Sequence, residues 1–246
     1  MRQLIFKTVL GFGIAISLVA FAQKAKLEPF VPAPLPKTIK PNPIPKTMVE
    51  NQKLLPGMSI DQICRPSLRG LLVPTDVSSL KPDPIVSKQI QTIVDADQAM
   101  RQNNQPFNSS DDQKRRQKLI PLISRAVTAQ DFARISLVFQ HGNCVPEIML
   151  ANKMASMAIQ LTPKGRKLGS QDIDPRWLYA ATLDRALMYS DLAQKYGTQY
   201  TSHGGRCVRL YVVDPRTTDA ERAQYNVPSL KRAIATAKTL KSPGCE

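Results

Sequence analysis

Apolar residues from Val86 onward recur at steps of three and four. Val86, Ile90, Ile93 and Met100 fall on one face, and the spacing predicts a helix over about 84–103. Ser110-x-x-Gln113 has the form of a capping box and opens a second helix, which Pro121 is expected to kink or split. Thr128-x-x-Asp131 opens a third, with Phe132, Ile135 and Phe139 as its stripe and Gly142 as a C-terminal stop. Pro146 suits the first turn of a fourth, lined by Leu150, Met154, Met157 and Leu161. Asp174-Pro175 predicts a long helix reaching about Tyr196, with Trp177, Ala181, Asp184 and Met188 on one face.

The period then changes. Val208, Leu210 and Val212 alternate with Arg209 and Tyr211, and His203-Gly204-Gly205 separates them from 198–202. That reads as a small β-hairpin near 198–213. Thr218-x-x-Glu221 caps a short helix, and Ser229 opens the last, with Leu230, Ile234 and Ala237 on its apolar side. The expected fold class is mainly α: a compact domain of about six to seven helices with one hairpin, spanning 59–246.

The N-terminal part follows other rules. Arg2 and Lys7 precede an apolar or small stretch from Thr8 to Ala22 that ends in Ala20-Phe21-Ala22. This has the charge, length and small-x-small ending of a signal peptide over 1–22. No Cys lies near the cut, so no lipid anchor is expected. Residues 23–58 form a Pro-rich basic tether. Prolines at 32, 34, 36, 41, 43 and 45 exclude helix and favour an extended, semi-rigid chain. Six lysines against two glutamates make it basic, fit for a spacer or for contact with an anionic surface.

Composition narrows the function classes. Of 246 residues, 34 are Lys or Arg and 19 are Asp or Glu, a net charge of +15, or +13 once Arg2 and Lys7 leave with the signal. An apolar fraction of 42% is enough for a core. The four cysteines, Cys64, Cys144, Cys207 and Cys245, are disulfide candidates in an exported chain, with three pairings open. There is no CxxC pair, no GxSxG elbow and no Gly-rich phosphate loop, so no metal and no cofactor are expected. Lys114-Arg115-Arg116-Gln117-Lys118 reads as an exposed basic face. Export and an aromatic content of 6% argue against nucleic acid. The partners expected instead are an anionic envelope polymer or a membrane surface, in the periplasm or outside the cell.

Polar residues on apolar faces supply the candidate chemistry. Helix phase places Asp97 and Asp184 inward, and puts His141 in the last turn of its helix, where the dipole favours the protonated ring. One reading is structural, with Asp97 and Asp184 in ion pairs with Arg101 and Arg185 or holding backbone amides. The other is a polar site with His141 as acid or base and Asp97 or Asp184 orienting it. Arg185, Gln140, Tyr196 and Gln199 would then bind a ligand.

These residues sit in short motifs: Asp97-Gln98 with Arg101, Phe139-Gln140-His141-Gly142, Asp184-Arg185, and Gln194-Lys195-Tyr196-Gly197-Thr198-Gln199, followed by Asp214-Pro215, Asp219 and Arg222. In that order they resemble an uncharacterised bacterial helical domain family of unknown function, over about residues 86–232. The resemblance implies a helical fold and this residue set, and no activity. It further suggests a positive-φ role for Gly197 at the end of the long helix. Together these features lead to an exported, envelope-associated binding or interaction module. The alternative is a hydrolase or lyase on an envelope polymer, with His141 as general acid and base. Nothing in the sequence decides whether the protein is an enzyme.

Overall fold

The computed structural model describes residues 26–40, 68–77, 80–102, 109–163, 166–168, 173–203 and 207–240. The predicted signal, residues 41–58 of the tether, Cys64, Cys245 and the side chains of His203 and Cys207 lie outside the described set.

The elements run β1 (Lys26–Pro29), β2 (Leu72–Asp76), α1 (Pro84–Gln102), α2 (Ser109–Ile123), α3 (Ala129–Phe139), α4 (Val145–Gln160), α5 (Pro175–Tyr189), β3 (Tyr200–His203), β4 (Cys207–Leu210), α6 (Asp219–Gln224) and α7 (Leu230–Thr239). The protein is mainly helical, with seven helices and two antiparallel two-stranded sheets among the described residues. No helix among them is long and apolar enough to cross a membrane.

The centre is α4. Its sequence is apolar nearly all round, which is the pattern of a helix with no solvent face. Ile148, Leu150, Ala151, Met154, Ala155 and Ala158 are all fully buried. It packs between α3 and α5, while α1 packs on α3 and α2. Two buried polar links fix the layers. Ser136 Oγ donates to Ala151 O at 2.7 Å, and Asn152 Nδ2 donates to Tyr179 O at 2.9 Å and Thr182 Oγ1 at 3.0 Å.

The caps form much as their side chains dictate. Thr128 Oγ1 accepts from Asp131 N, Asp174 Oδ1 from Arg176 N, and Thr218 and Glu221 close a reciprocal capping box. The hairpin pairs Tyr200 with Leu210 through to His203 with Cys207.

Several expectations need correction. Helix α2 starts at Ser109, before the expected Ser110 cap, and runs through Pro121, which falls in its last turn. Helix α5 stops at Tyr189, seven residues early, where Asp191 takes a positive φ of 56°. Gly197 does need its φ of 83°, but in the loop beyond that helix. Gly142 is required for space, not for φ: a Cβ there would stand 2.6 Å from Glu147 Cβ. Trp177 and Ile234 are exposed, because Leu178 and Ala233 take the inward positions, and Leu161 is exposed as the C-cap residue just past the end of α4.

The described part of the Pro-rich segment, 26–40, is extended and lies on the domain. β1 pairs antiparallel with β2, where Pro74 is tolerated because a two-stranded sheet has only edges. Phe30 N donates to Leu71 O at 2.8 Å, and the Phe30 and Leu35 side chains pack against buried clusters. Further along, Ala193 N donates to Ile39 O at 2.9 Å and Arg216 Nη2 to Lys37 O at 3.1 Å.

Candidate functional site

The C-terminal end of α3 is where the charged residues gather. A helix leaves its last four carbonyls without intrahelical donors and carries partial negative charge there. Two arginines from other helices meet that end. Arg116 Nη1 donates to His141 O at 3.0 Å, and Arg185 Nη1 donates to Gln140 O at 2.6 Å. Arg116 is buried and pairs through Nε with Glu147 Oε2 at 3.2 Å, while Glu147 also accepts from Asn143 N at 3.1 Å. This pair pins the turn 141–143, and its tightness against Gly142 explains why no side chain fits there.

On the other side of His141 stands Asp97, buried on α1. Arg101 grips it in a fork, Nε to Oδ2 at 3.1 Å and Nη2 to Oδ1 at 3.1 Å. Gln98 Nε2 donates at 2.9 Å, and Arg115 Nε lies 3.3 Å from Oδ1. Arg101 and Arg115 are both shared with Asp112 of α2, so two arginines and two carboxylates form one network. Burial works to raise the Asp97 carboxyl, but His141 and Arg101 outweigh it and hold it down to about 2.

His141 Nδ1 faces Asp97 Oδ2 at 3.6 Å, an ionic contact too long for a hydrogen bond, so this buried nitrogen has no hydrogen-bond partner among the described residues. The side chain keeps 18% exposure, and with Nδ1 sealed this lies on the rest of the ring. Burial pushes the imidazole pKa down; Asp97 opposes this, and Arg101 and Arg185 add to it. The structure therefore favours the neutral ring, against the sequence expectation of a dipole-stabilised cation.

Arg185 is the residue without an anion. Nε donates to Gln199 Oε1 at 3.0 Å and Nη1 to the Gln140 carbonyl. No carboxylate pairs with it among the described residues, and burial depresses its pKa, with Tyr189 opposing and Arg101 adding to the effect. The α3 terminus offsets about half a charge at most, and Arg116 draws on the same end. A buried cation that is hydrogen-bonded but not neutralised is costly, and such arrangements cluster at binding sites.

The remaining candidates separate. Asp184 is fully buried and consumed by backbone: Oδ1 accepts from Lys195 N at 2.7 Å and Tyr196 N at 2.8 Å, and Oδ2 from Thr198 N at 3.0 Å and Thr198 Oγ1 at 2.8 Å. Desolvation pushes its carboxyl up to about 6 against the pull of these four donors. It meets neither Arg185 nor His141; it holds the loop 194–199. Tyr196 stacks at a tilt on Tyr225, 4.9 Å between centroids, and belongs to a buried apolar cluster. Gln199 is in reach, since it donates to Ala181 O at 3.1 Å and presents its carbonyl to Arg185. Gln140 contributes its backbone oxygen.

Asp97, His141, Arg185, Gln140 and Gln199 therefore come together, and Asp184 and Tyr196 stand behind them. The sequence reading missed Asp112, Arg115, Arg116 and Glu147. It treated 114–118 as an exposed run, which holds for Lys114 and fails for the two arginines. The signal was present: stepping back from Leu119 and Ile123 by sevens and fours lands on Asp112 and Arg116. Among the described residues no group of His, Cys, Asp and Glu could hold a metal ion. No protein-family model, no curated protein and no solved structure matches the chain.

Proposed function

We propose that this protein is an exported, envelope-associated binding module whose site at the end of α3 takes an anionic group. Arg185 carries the reading: a largely buried guanidinium, fixed by Gln199 and Gln140, with no counter-ion among the described residues. A fixed guanidinium is well suited to oxyanions, and an incoming anion would neutralise a charge the fold leaves unbalanced. Export is part of the same proposal, supported by the pattern of residues 1–22 and by Cys144, which is disulfide-bonded. So are an anionic polymer or membrane surface as partner, in keeping with the net charge of +15, or +13 without Arg2 and Lys7, and membership of the uncharacterised helical family that the motifs resemble.

The test is a panel of simple anions at low ionic strength, read by calorimetry on wild type and Arg185→Gln. The proposal expects binding by the wild type that weakens at least about tenfold in the variant, since a charge-assisted contact is worth roughly 1.5–3 kcal/mol. Equal binding by both would remove its basis.

One observation favours a second reading, the hydrolase or lyase with His141 as general acid and base. Asp97 Oδ2 lies 3.6 Å from Nδ1, on the side from which a carboxylate orients a catalytic imidazole, and such contacts tighten when substrate binds. Turnover of an anionic envelope polymer, lost in His141→Gln with binding kept, would establish it.

A further inference from the structure

The charges around His141 can be balanced helix by helix. From α1 come Asp97 and Arg101, from α2 Asp112, Arg115 and Arg116, from α4 Glu147, and from α5 Arg185, with Tyr189 near it. Among the described residues four arginines face three carboxylates, and the excess positive charge resides on Arg185. If His141 takes up a proton, the excess becomes two.

The unused donors match that excess. Arg185 uses Nε and Nη1 in hydrogen bonds, and Nη2 has no partner among the described residues. Arg101 uses Nε and Nη2, and its Nη1 has none either, on a side chain that is 27% exposed. The accessible part of the His141 ring is the third. The three groups adjoin one another: Arg101 grips Asp97, which lies 3.6 Å from the His141 ring, and Arg185 holds the carbonyl of Gln140, the residue before His141. Three donor groups suit a tetrahedral oxyanion, which offers three oxygens, better than a planar carboxylate, which offers two.

Resting on the anion-binding reading above, we infer that the ligand group is a dianionic tetrahedral oxyanion, a phosphate monoester, held by Arg185, Arg101 and His141 and bound together with one proton that His141 takes up. A dianion cancels both excess charges only when the imidazole is protonated. Burial first, and then the two arginines beside the ring, push the imidazole pKa down, with Asp97 opposing them. An arriving dianion reverses the local field and supplies an acceptor for the ring N–H. Binding and protonation therefore strengthen each other, as linkage requires.

Sulfate is the clean probe, because it does not titrate near neutrality. Calorimetry at pH 7 in two buffers of different ionisation enthalpy counts the protons exchanged. The chain has two histidines, so the His141 imidazole is assigned in the NMR spectrum by the signal that His141→Gln removes. The inference expects sulfate and inorganic phosphate to bind at least about tenfold more tightly than acetate. It expects proton uptake on sulfate binding, and a His141 pKa that rises by one unit or more at saturation. His141→Gln should keep Arg185-dependent binding and lose the uptake. Phenyl phosphate, a dianion, should likewise bind at least about tenfold more tightly than phenyl sulfate, which has the same shape and a single charge.

Acetate binding as well as sulfate, or sulfate binding with no proton uptake and a stationary His141 pKa, would overturn this inference while leaving the anion-binding reading intact. Absence of any anion binding, or binding indifferent to Arg185→Gln, would remove both.

Discussion

Asp184 and Arg185 are adjacent on α5, yet the structure joins them only through a detour. Asp184 holds Thr198 by its amide and hydroxyl, Gln199 Nε2 donates to Thr198 Oγ1 at 3.1 Å, and Gln199 Oε1 accepts from Arg185 Nε at 3.0 Å. The carboxylate spends itself on backbone and never neutralises its neighbour. The loop it cages then positions the amide that aims the arginine. An Asp-Arg pair in sequence has become one residue that builds the site and one that faces into it.

Replacing Asp184 tests that division. Asp184→Asn puts an amide that donates where at least two donors converge. The variant should lose at least about 2 kcal/mol of unfolding free energy by denaturant titration. It should also weaken anion binding through Gln199 and Arg185, although it touches neither the ring nor the ligand.

The two buried aspartates give opposite dependences on pH. Asp97 titrates near 2 in the folded chain, below its ordinary 3.8, so its stabilisation is present above pH 4 and is lost as pH falls toward 2. Asp184 titrates near 6, above 3.8, so its stabilising contribution is present below about pH 4 and is lost as pH rises through 6. Each shift is worth on the order of 2–3 kcal/mol. Stability measured from pH 2 to 7 should lose its low-pH slope in Asp97→Asn and its slope between pH 4 and 6 in Asp184→Asn.

Gly142 lies where a side chain has no room. In Gly142→Ala the new Cβ meets Glu147 Cβ, and either α4 or the turn must shift. A loss of about 1–3 kcal/mol is expected, the range for overpacking. Because Glu147 pairs with Arg116, the shift should also disturb the carbonyl that Arg116 holds at His141.

The Pro-rich segment stabilises the domain it was expected only to tether. A chain beginning at residue 41 lacks β1, Phe30, Leu35 and the Ile39 and Lys37 carbonyls that Ala193 and Arg216 use. Its melting temperature should fall by at least about 5 °C against a chain beginning at residue 23, from a loss of roughly 2 kcal/mol or more. Equal melting temperatures would show that this contact is incidental.

How far the sequence foretold this depends on the length scale of each signal. Helix phase is local, so it found α1, α3, α4 and α5 and turned Asp97 and Asp184 inward. Caps are more local still, and Thr128, Asp174, Thr218 and Ser229 all accept the amides expected of them. Partnership is not local. Nothing within α2 says that Arg115 and Arg116 meet Asp97 and Glu147 on other helices, so a run of basic residues read as solvated. Nor does helix phase reveal that Asp184 serves a loop 11 to 14 residues away, or that Ala233 rather than Ile234 joins Ala237 on the buried face of α7. The Pro-rich segment misled for the same reason: its prolines fix the backbone shape, and the packing of Phe30 and Leu35 fixes where it lies.

The most direct measurement is a crystal structure of the folded domain grown or soaked with phosphate or sulfate. The account predicts the anion in contact with Arg185 Nη2 and the His141 ring, with Arg101 Nη1 turned toward it and the Asp184 loop unchanged. A site at the end of α3 that stays empty while anions settle elsewhere, or an Arg185 that pairs with a carboxylate, would contradict it.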